Sequence, residues 1–155
     1  MRYVGVVGAG VASHEEERIA HAVGGSLASA GYAVVCGGLG GVMEAACRGA
    51  KEAGGTTIGV LPGDDRAEAN RWVDVVIPSG LGEARNAIVV RTAEAIIAIG
   101  GEFGTLSEIA LALKLGRPVV GLATWRIERE GMGMDPILRA ADPDDAVRLV
   151  RERIG

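Results

Sequence analysis

Six short apolar runs recur along the chain: YVGVV (3–7), AVVC (33–36), TIGVL (57–61), VDVVI (73–77), AIIAI (95–99) and PVVGL (118–122). Longer segments of helical period separate them. Continuous apolar runs of this length, alternating with helices, are the pattern of a parallel sheet buried on both faces. The expected fold is therefore α/β, a doubly wound parallel sheet of about six to seven strands with helices on both faces. With 155 residues and domains of typically about 100–200 residues, one domain spanning 1–155 is expected.

The helical segments carry their own punctuation. Ser13 followed by Glu16 forms a capping box that starts a helix expected to run to Ala30, and Gly31 ends it. Further helices are expected over 41–53, 83–92 and 105–115, the last stopped by Gly-Arg-Pro. At the end of the chain Asp142 can cap, Pro143 takes the first helical position, and arginines fill the last turn against the helix dipole. The least regular stretch, 123–140, reads as a packed connection to this last helix in preference to a mobile edge over a pocket.

Composition narrows the partners. Net charge is −4, with no cluster of Lys or Arg, so a nucleic-acid polymer has little to bind. The apolar runs fall far below the roughly 18–20 residues of a membrane span, and no signal-peptide pattern opens the chain. No membrane partner is expected. Cys36 and Cys47, the two cysteines, lie in regular segments and read as buried free thiols, which fits a reducing cytoplasm. Aromatics make up 3% of the residues, so Ala, Val, Ile and Leu must fill the core, whereas 25 glycines point to tight turns and close backbone approaches.

Ligands of open parallel sheets gather beyond the carboxyl ends of the strands, so the strand-to-helix turns are where chemistry is sought. The first, VVGAGVAS (6–13), has Gly8 and Gly10 but Ser13 in place of a third glycine. No acidic residue lies between Glu17 and Glu44 to hold a dinucleotide ribose, which argues against a dehydrogenase. The second, CGGLGGVMEAA (36–46), can turn the amides of Gly37, Gly38 and Gly41 toward an anion at a helix N-terminus, or serve packing alone. The third, GGEFGT (100–105), leads into a helix in which Thr105 offers a hydroxyl and neighbouring amides to a phosphate. Two such loops in one sheet favour a phosphorylated ligand. Neither is a nucleoside-triphosphate loop, because Gly-Lys-Ser/Thr is absent.

Glu108 stands one turn beyond Thr105, where core meets cleft; a glutamate there also simply suits the helix dipole. Arg85 follows the fourth strand and so falls at the same sheet edge, as a site residue or as a surface ion pair. In their order and spacing these features resemble the Lonely Guy-like Rossmann proteins, often labelled lysine decarboxylases. Their signature, Pro-Gly-Gly-x-Gly-Thr-x-x-Glu, falls on Gly100, Gly101, Glu102, Phe103, Gly104, Thr105, Leu106, Ser107 and Glu108. Their Gly-Gly-x-x-Gly-x-Met loop falls on Gly37, Gly38, Gly41 and Met43. The family's proline is Gly100 here, and its second glycine is Glu102, a like charge in a phosphate loop unless it faces solvent. The Arg85–Asn86 pair resembles the branch that contains molybdenum-cofactor carrier proteins.

The resemblance implies cleavage of the N-glycosidic bond of a nucleoside 5′-monophosphate to free base and ribose 5-phosphate, with Arg85 and Glu108 catalytic. Glu108 would stabilise the sugar cation and orient water, while Arg85 positions charge. Gly8, Gly10, Gly37, Gly38, Gly41, Met43, Asn86, Gly101, Gly104 and Thr105 would hold the phosphate and ligand. The alternative is a carrier or sensor of a phosphorylated ligand without turnover. A purely structural role, with the glycines needed only for packing, is the third. No metal or resident cofactor is expected, nor is lysine decarboxylation, since Lys51 and Lys114 are the only lysines and sit on helix surfaces. The resemblance also implies a homodimer or homotetramer that buries the third and fourth helices.

Overall fold

The computed structural model describes residues 1–155. Seven strands form one sheet: β1 (Arg2–Gly8), β2 (Tyr32–Cys36), β3 (Thr57–Leu61), β4 (Val75–Pro78), β5 (Ala95–Ile99), β6 (Val119–Leu122) and the two-residue β7 (Leu138–Arg139). They run in the order β4-β3-β2-β1-β5-β6-β7, and every pairing is parallel. This is the doubly wound α/β arrangement expected. The chain steps outward from β1 to β4, then returns to β5 on the other side of β1, so the switch point opens between β1 and β5.

Alternation along the central strands sorts side chains to two cores. Val4, Val6, Ile97 and Ile99 point to the face covered by α1 (His14–Ser29), α2 (Val42–Glu52) and α5 (Pro143–Ile154). Val7, Ile96 and Ala98 point to the opposite face, under α3 (Asn86–Thr92) and α4 (Phe103–Lys114). Each buried Val or Ile contributes about 1.5–3 kcal/mol, which is how a chain with few aromatics holds together. Where α1 crosses α2, the backbones touch. A Cβ on Gly49 would lie 1.9 Å from the His21 carbonyl oxygen, and one on Gly24 would lie 2.0 Å from that of Ala46. Here the glycines serve close approach, as composition implied.

The caps hold as expected at both chain ends. Ser13 and Glu16 exchange both bonds of the capping box, Gly31 follows α1 with φ +86°, and Asp142 accepts from the Asp145 amide ahead of Pro143. Two helix starts differ. The expected helix 83–92 is a 3₁₀ turn over Gly82–Arg85 followed by α3, because Gly80 and Gly82 take left-handed backbone and deliver the chain to the helix late. The expected helix 105–115 begins two residues early, at Phe103 with Glu102 as its N-cap, so Thr105 sits in the first turn instead of opening it.

The irregular stretch packs at its two ends, while most of 128–134 between them is exposed. Trp125 and Ile127 lie against the second core, Ile137 is buried in it, and β7 adds a parallel edge. No helix is long and apolar enough to cross a membrane.

Candidate functional site

A cleft of about 850 Å³ opens at the carboxyl ends of β1 and β5, within the usual range for small-molecule sites. Four segments supply its walls: the turn after β1, the loop into α2, the Glu83–Ala87 stretch and the first turns of α4. Parallel pairing brings them together, since every β-to-α turn leaves from the same edge.

At the α4 end, the first intrahelical bond runs from the Leu106 amide to the Glu102 carbonyl. The amides of Phe103, Gly104 and Thr105 therefore have no helical partner. They add the partial positive charge of the helix dipole to the cleft wall, an arrangement suited to an anion. Gly100 explains why the resemblance breaks there. Its φ is +52° and its amide donates to the Leu122 carbonyl (3.1 Å). Proline has neither that conformation nor an N–H. Glu102 is exposed at the cleft rim, where water screens its charge.

Arg85, at the junction of the 3₁₀ turn and α3, is half-buried and anchored. Its Nε donates to the Val60 carbonyl at 2.9 Å, and its Nη1 donates to Asn86 Oδ1. The guanidinium lies across the α2 loop: a Cβ on Gly37 would stand 2.6 Å from Arg85 Nη2 and 2.7 Å from Met43 Sδ. Gly37 thus makes room for the one cation in the cleft.

Glu108 faces that cation without a hydrogen bond. Burial pushes its carboxyl up to about 7, and the attraction of Arg85 only partly opposes the rise. A carboxyl so placed exchanges its proton near neutrality. Behind the loop, the Cys36 and Cys47 sulfurs lie 3.5 Å apart and remain free thiols. Contact with Cys36, reinforced by burial, holds the Cys47 thiol protonated.

Of the residues expected from sequence, Gly8, Gly10, Gly37, Met43, Arg85, Asn86, Gly104, Thr105 and Glu108 line this one cleft. Three do not. Gly38 turns away to pack on Leu61 and Gly59, Gly41 backs onto the Ala9–Gly10 peptide, and Gly101 covers the Thr105 side chain. All three take positive φ, so their glycine character answers to packing and backbone conformation. Thr105 is itself largely buried, yet it lines the cleft. Sequence reasoning missed Phe103, Glu83 and Val11 as lining residues; only their nearness to the glycine turns could have drawn attention to them.

A family model, the SLOG cluster4 family, matches residues 1–147. The chain belongs to the SLOG cluster4 family. An uncharacterized protein from Archaeoglobus fulgidus is 45% identical over 119 residues, covering 77% of this chain and 78% of that one. Among solved structures, the molybdenum cofactor binding protein of the phototrophic bacterium Rippkaea orientalis superposes with a TM-score of 0.89 at 34% identity. That match covers 99% of this chain and 98% of the other. The molybdenum cofactor carrier protein of Chlamydomonas reinhardtii matches with a TM-score of 0.85 at 37% identity, covering 97% and 96%. DNA processing protein A of Helicobacter pylori, at 17% identity and a TM-score of 0.71, shares the fold. This SLOG member thus has the Rossmann-like fold and the likeness to molybdenum-cofactor carriers that its motifs implied. The narrower Lonely Guy-like assignment rests on the motifs alone.

Proposed function

We propose that this protein binds a small phosphorylated molecule in the β1–β5 cleft and carries it without turnover, a molybdenum-cofactor-type pterin being the favoured cargo. The observation that carries the reading is the pairing of the unpartnered α4 amides with the anchored Arg85 around one open cleft. Fixed dipoles and one immobilised guanidinium recognise a phosphate at little entropic cost. The named carriers above, similar over nearly the whole chain, favour the pterin cargo.

Nucleotide phosphoribohydrolase activity is the second reading, favoured by one feature. The carboxyl of Glu108, poised near neutral pH opposite Arg85, has the protonation behaviour of an acid–base group. One experiment separates the two. The protein is heated with inorganic phosphate, nucleoside monophosphates, or molybdenum cofactor released from a molybdoenzyme, and the same mixtures are assayed for free base. A carrier gains stability, about 2.7 kcal/mol at a hundred times the dissociation constant, and releases no base. Base release abolished by Glu108→Gln establishes the hydrolase. Unchanged melting with every ligand overturns the phosphate reading.

A further inference from the structure

The chain holds five aromatic residues, two Trp, two Tyr and one Phe. Four are at least partly buried: Tyr32 in the first core, Tyr3 and Trp125 against the second, and Trp72 against Cys36, Met43 and Cys47. The single phenylalanine is spent differently. Phe103 is 77% exposed, occupies the first position of α4, and lines the same cleft as Arg85 and Glu108. A large apolar ring left in water at the mouth of a cleft offers a surface that its own core does not use.

That ring is backed by a braced partner. The Trp125 indole lies 5.7 Å from it, centroid to centroid, with the planes tilted by 31°. Trp125 Nε1 donates to the Glu102 carbonyl at 3.1 Å, directly before Phe103, while Arg139 Nη2 donates to the Trp125 carbonyl at 2.5 Å. One residue earlier, the Thr124 hydroxyl donates to the Gly100 carbonyl at 2.6 Å. The strand that feeds this brace leaves β6 through Ala123, the one non-glycine residue with positive φ, at +51°. A left-handed alanine persists where surrounding contacts over-determine it, and such outliers gather at ligand sites. Here the side chains of the next two residues, Thr124 and Trp125, both reach the Gly100–Phe103 loop.

We propose that Phe103, backed by Trp125, is a stacking platform for a planar heterocyclic ring. The cleft then takes a phosphorylated molecule that carries such a ring, and discriminates against a bare sugar phosphate. The proposal rests on the phosphorylated-ligand reading and adds the second half of the ligand. The α4 amides and Arg85 hold the anion, while the ring lies on Phe103, whose position Trp125 maintains. Aromatic platforms accept any flat ring, so purine and pterin are both suitable occupants.

The test titrates the full-length protein with GMP and with ribose 5-phosphate, which share the phosphate and sugar and differ in the ring. Calorimetry gives affinities, and emission from Trp125 is followed in a Trp72→Phe background. Wild type is expected to favour GMP by about tenfold. Phe103→Ala should abolish that preference while changing ribose 5-phosphate affinity less than about twofold, and Phe103→Tyr should keep it. Equal affinities in wild type overturn the platform and leave the phosphate reading standing; binding of neither ligand overturns the platform, and the phosphate reading falls with it only where melting is also unchanged with inorganic phosphate and molybdenum cofactor. An equal loss for both ligands in Phe103→Ala makes the residue a support for the helix start and refutes the platform. A sedimentation change with ring preference intact assigns it to a subunit contact and refutes it too.

Discussion

Replacing Glu108 with glutamine should stabilise this protein, and only at the higher pH values. In the folded chain the carboxyl is pushed up to about 7 by burial, against an ordinary glutamate value of 4.5. Between these values the folded state keeps a proton that the unfolded state has released. Stability therefore falls as pH rises from about 4.5 to about 7 and levels off above. Each tenfold change in proton affinity corresponds to about 1.4 kcal/mol, so the ionised carboxylate costs about 3 kcal/mol at pH 8, with the Arg85 attraction already counted. Glutamine keeps the shape and removes the charge. The variant should match wild type within about 1 kcal/mol at pH 5, where the folded site is protonated but the unfolded glutamate has begun to ionise, and gain up to about 3 kcal/mol at pH 8. For a domain of this size that is about 6–12 °C in melting temperature. Urea unfolding at pH 5 and pH 8, with both proteins side by side, measures it. The other carboxylates, including those held low by ion pairs such as Glu94 with Arg2 and Glu52 with Arg48, are common to both proteins and cancel in the difference. A variant less stable than wild type at pH 8 would refute the reasoning, for it would mean that attraction to Arg85 outweighs burial. A gain that is the same at both pH values would refute it equally, since the charge would then not be its source.

Three further outcomes are expected. Gly49→Ala places a Cβ 1.9 Å from the His21 carbonyl oxygen, where neither helix backbone can yield; denaturant unfolding should show a loss of about 3 kcal/mol or more, and wild-type stability would refute the contact. Gly37→Ala crowds the Arg85 guanidinium and Met43. Phosphate-ligand affinity should drop about tenfold while stability falls by about 1–3 kcal/mol, as read by calorimetry and melting, and unchanged affinity would remove Arg85 from phosphate recognition. Ser13→Ala deletes one half of the capping box of α1 and should lower stability by about 1 kcal/mol; no change in urea midpoint would mean that the helix start does not depend on it.

If Glu108→Gln proves the more stable protein at pH 8, the carboxyl opposite Arg85 trades stability for a group that can meet a ligand. The same cleft shows where motif reading fell short. Nine of the twelve residues singled out line it, but Gly38, Gly41 and Gly101 stand behind it. A glycine that cradles a ligand and a glycine that admits a neighbouring side chain look alike in sequence. What tells them apart is the atom on the far side, and that atom belongs to another element: Leu61 for Gly38, the Ala9–Gly10 peptide for Gly41.

Strands β3 and β5, the capping box at Ser13 and the Asp142–Pro143 start were all legible from sequence, because hydrophobic period and cap chemistry act within a few residues. The doubly wound class followed from their alternation. Tertiary structure alone decided that Arg85 is tethered to Val60, 25 residues upstream, that Glu108 holds its proton to near neutrality, and that Trp125, far along the chain, braces Phe103. Those properties depend on burial and on contacts made only after the sheet sets β3, β1, β5 and β6 in place, and no local pattern records which edge a distant strand will bring to it.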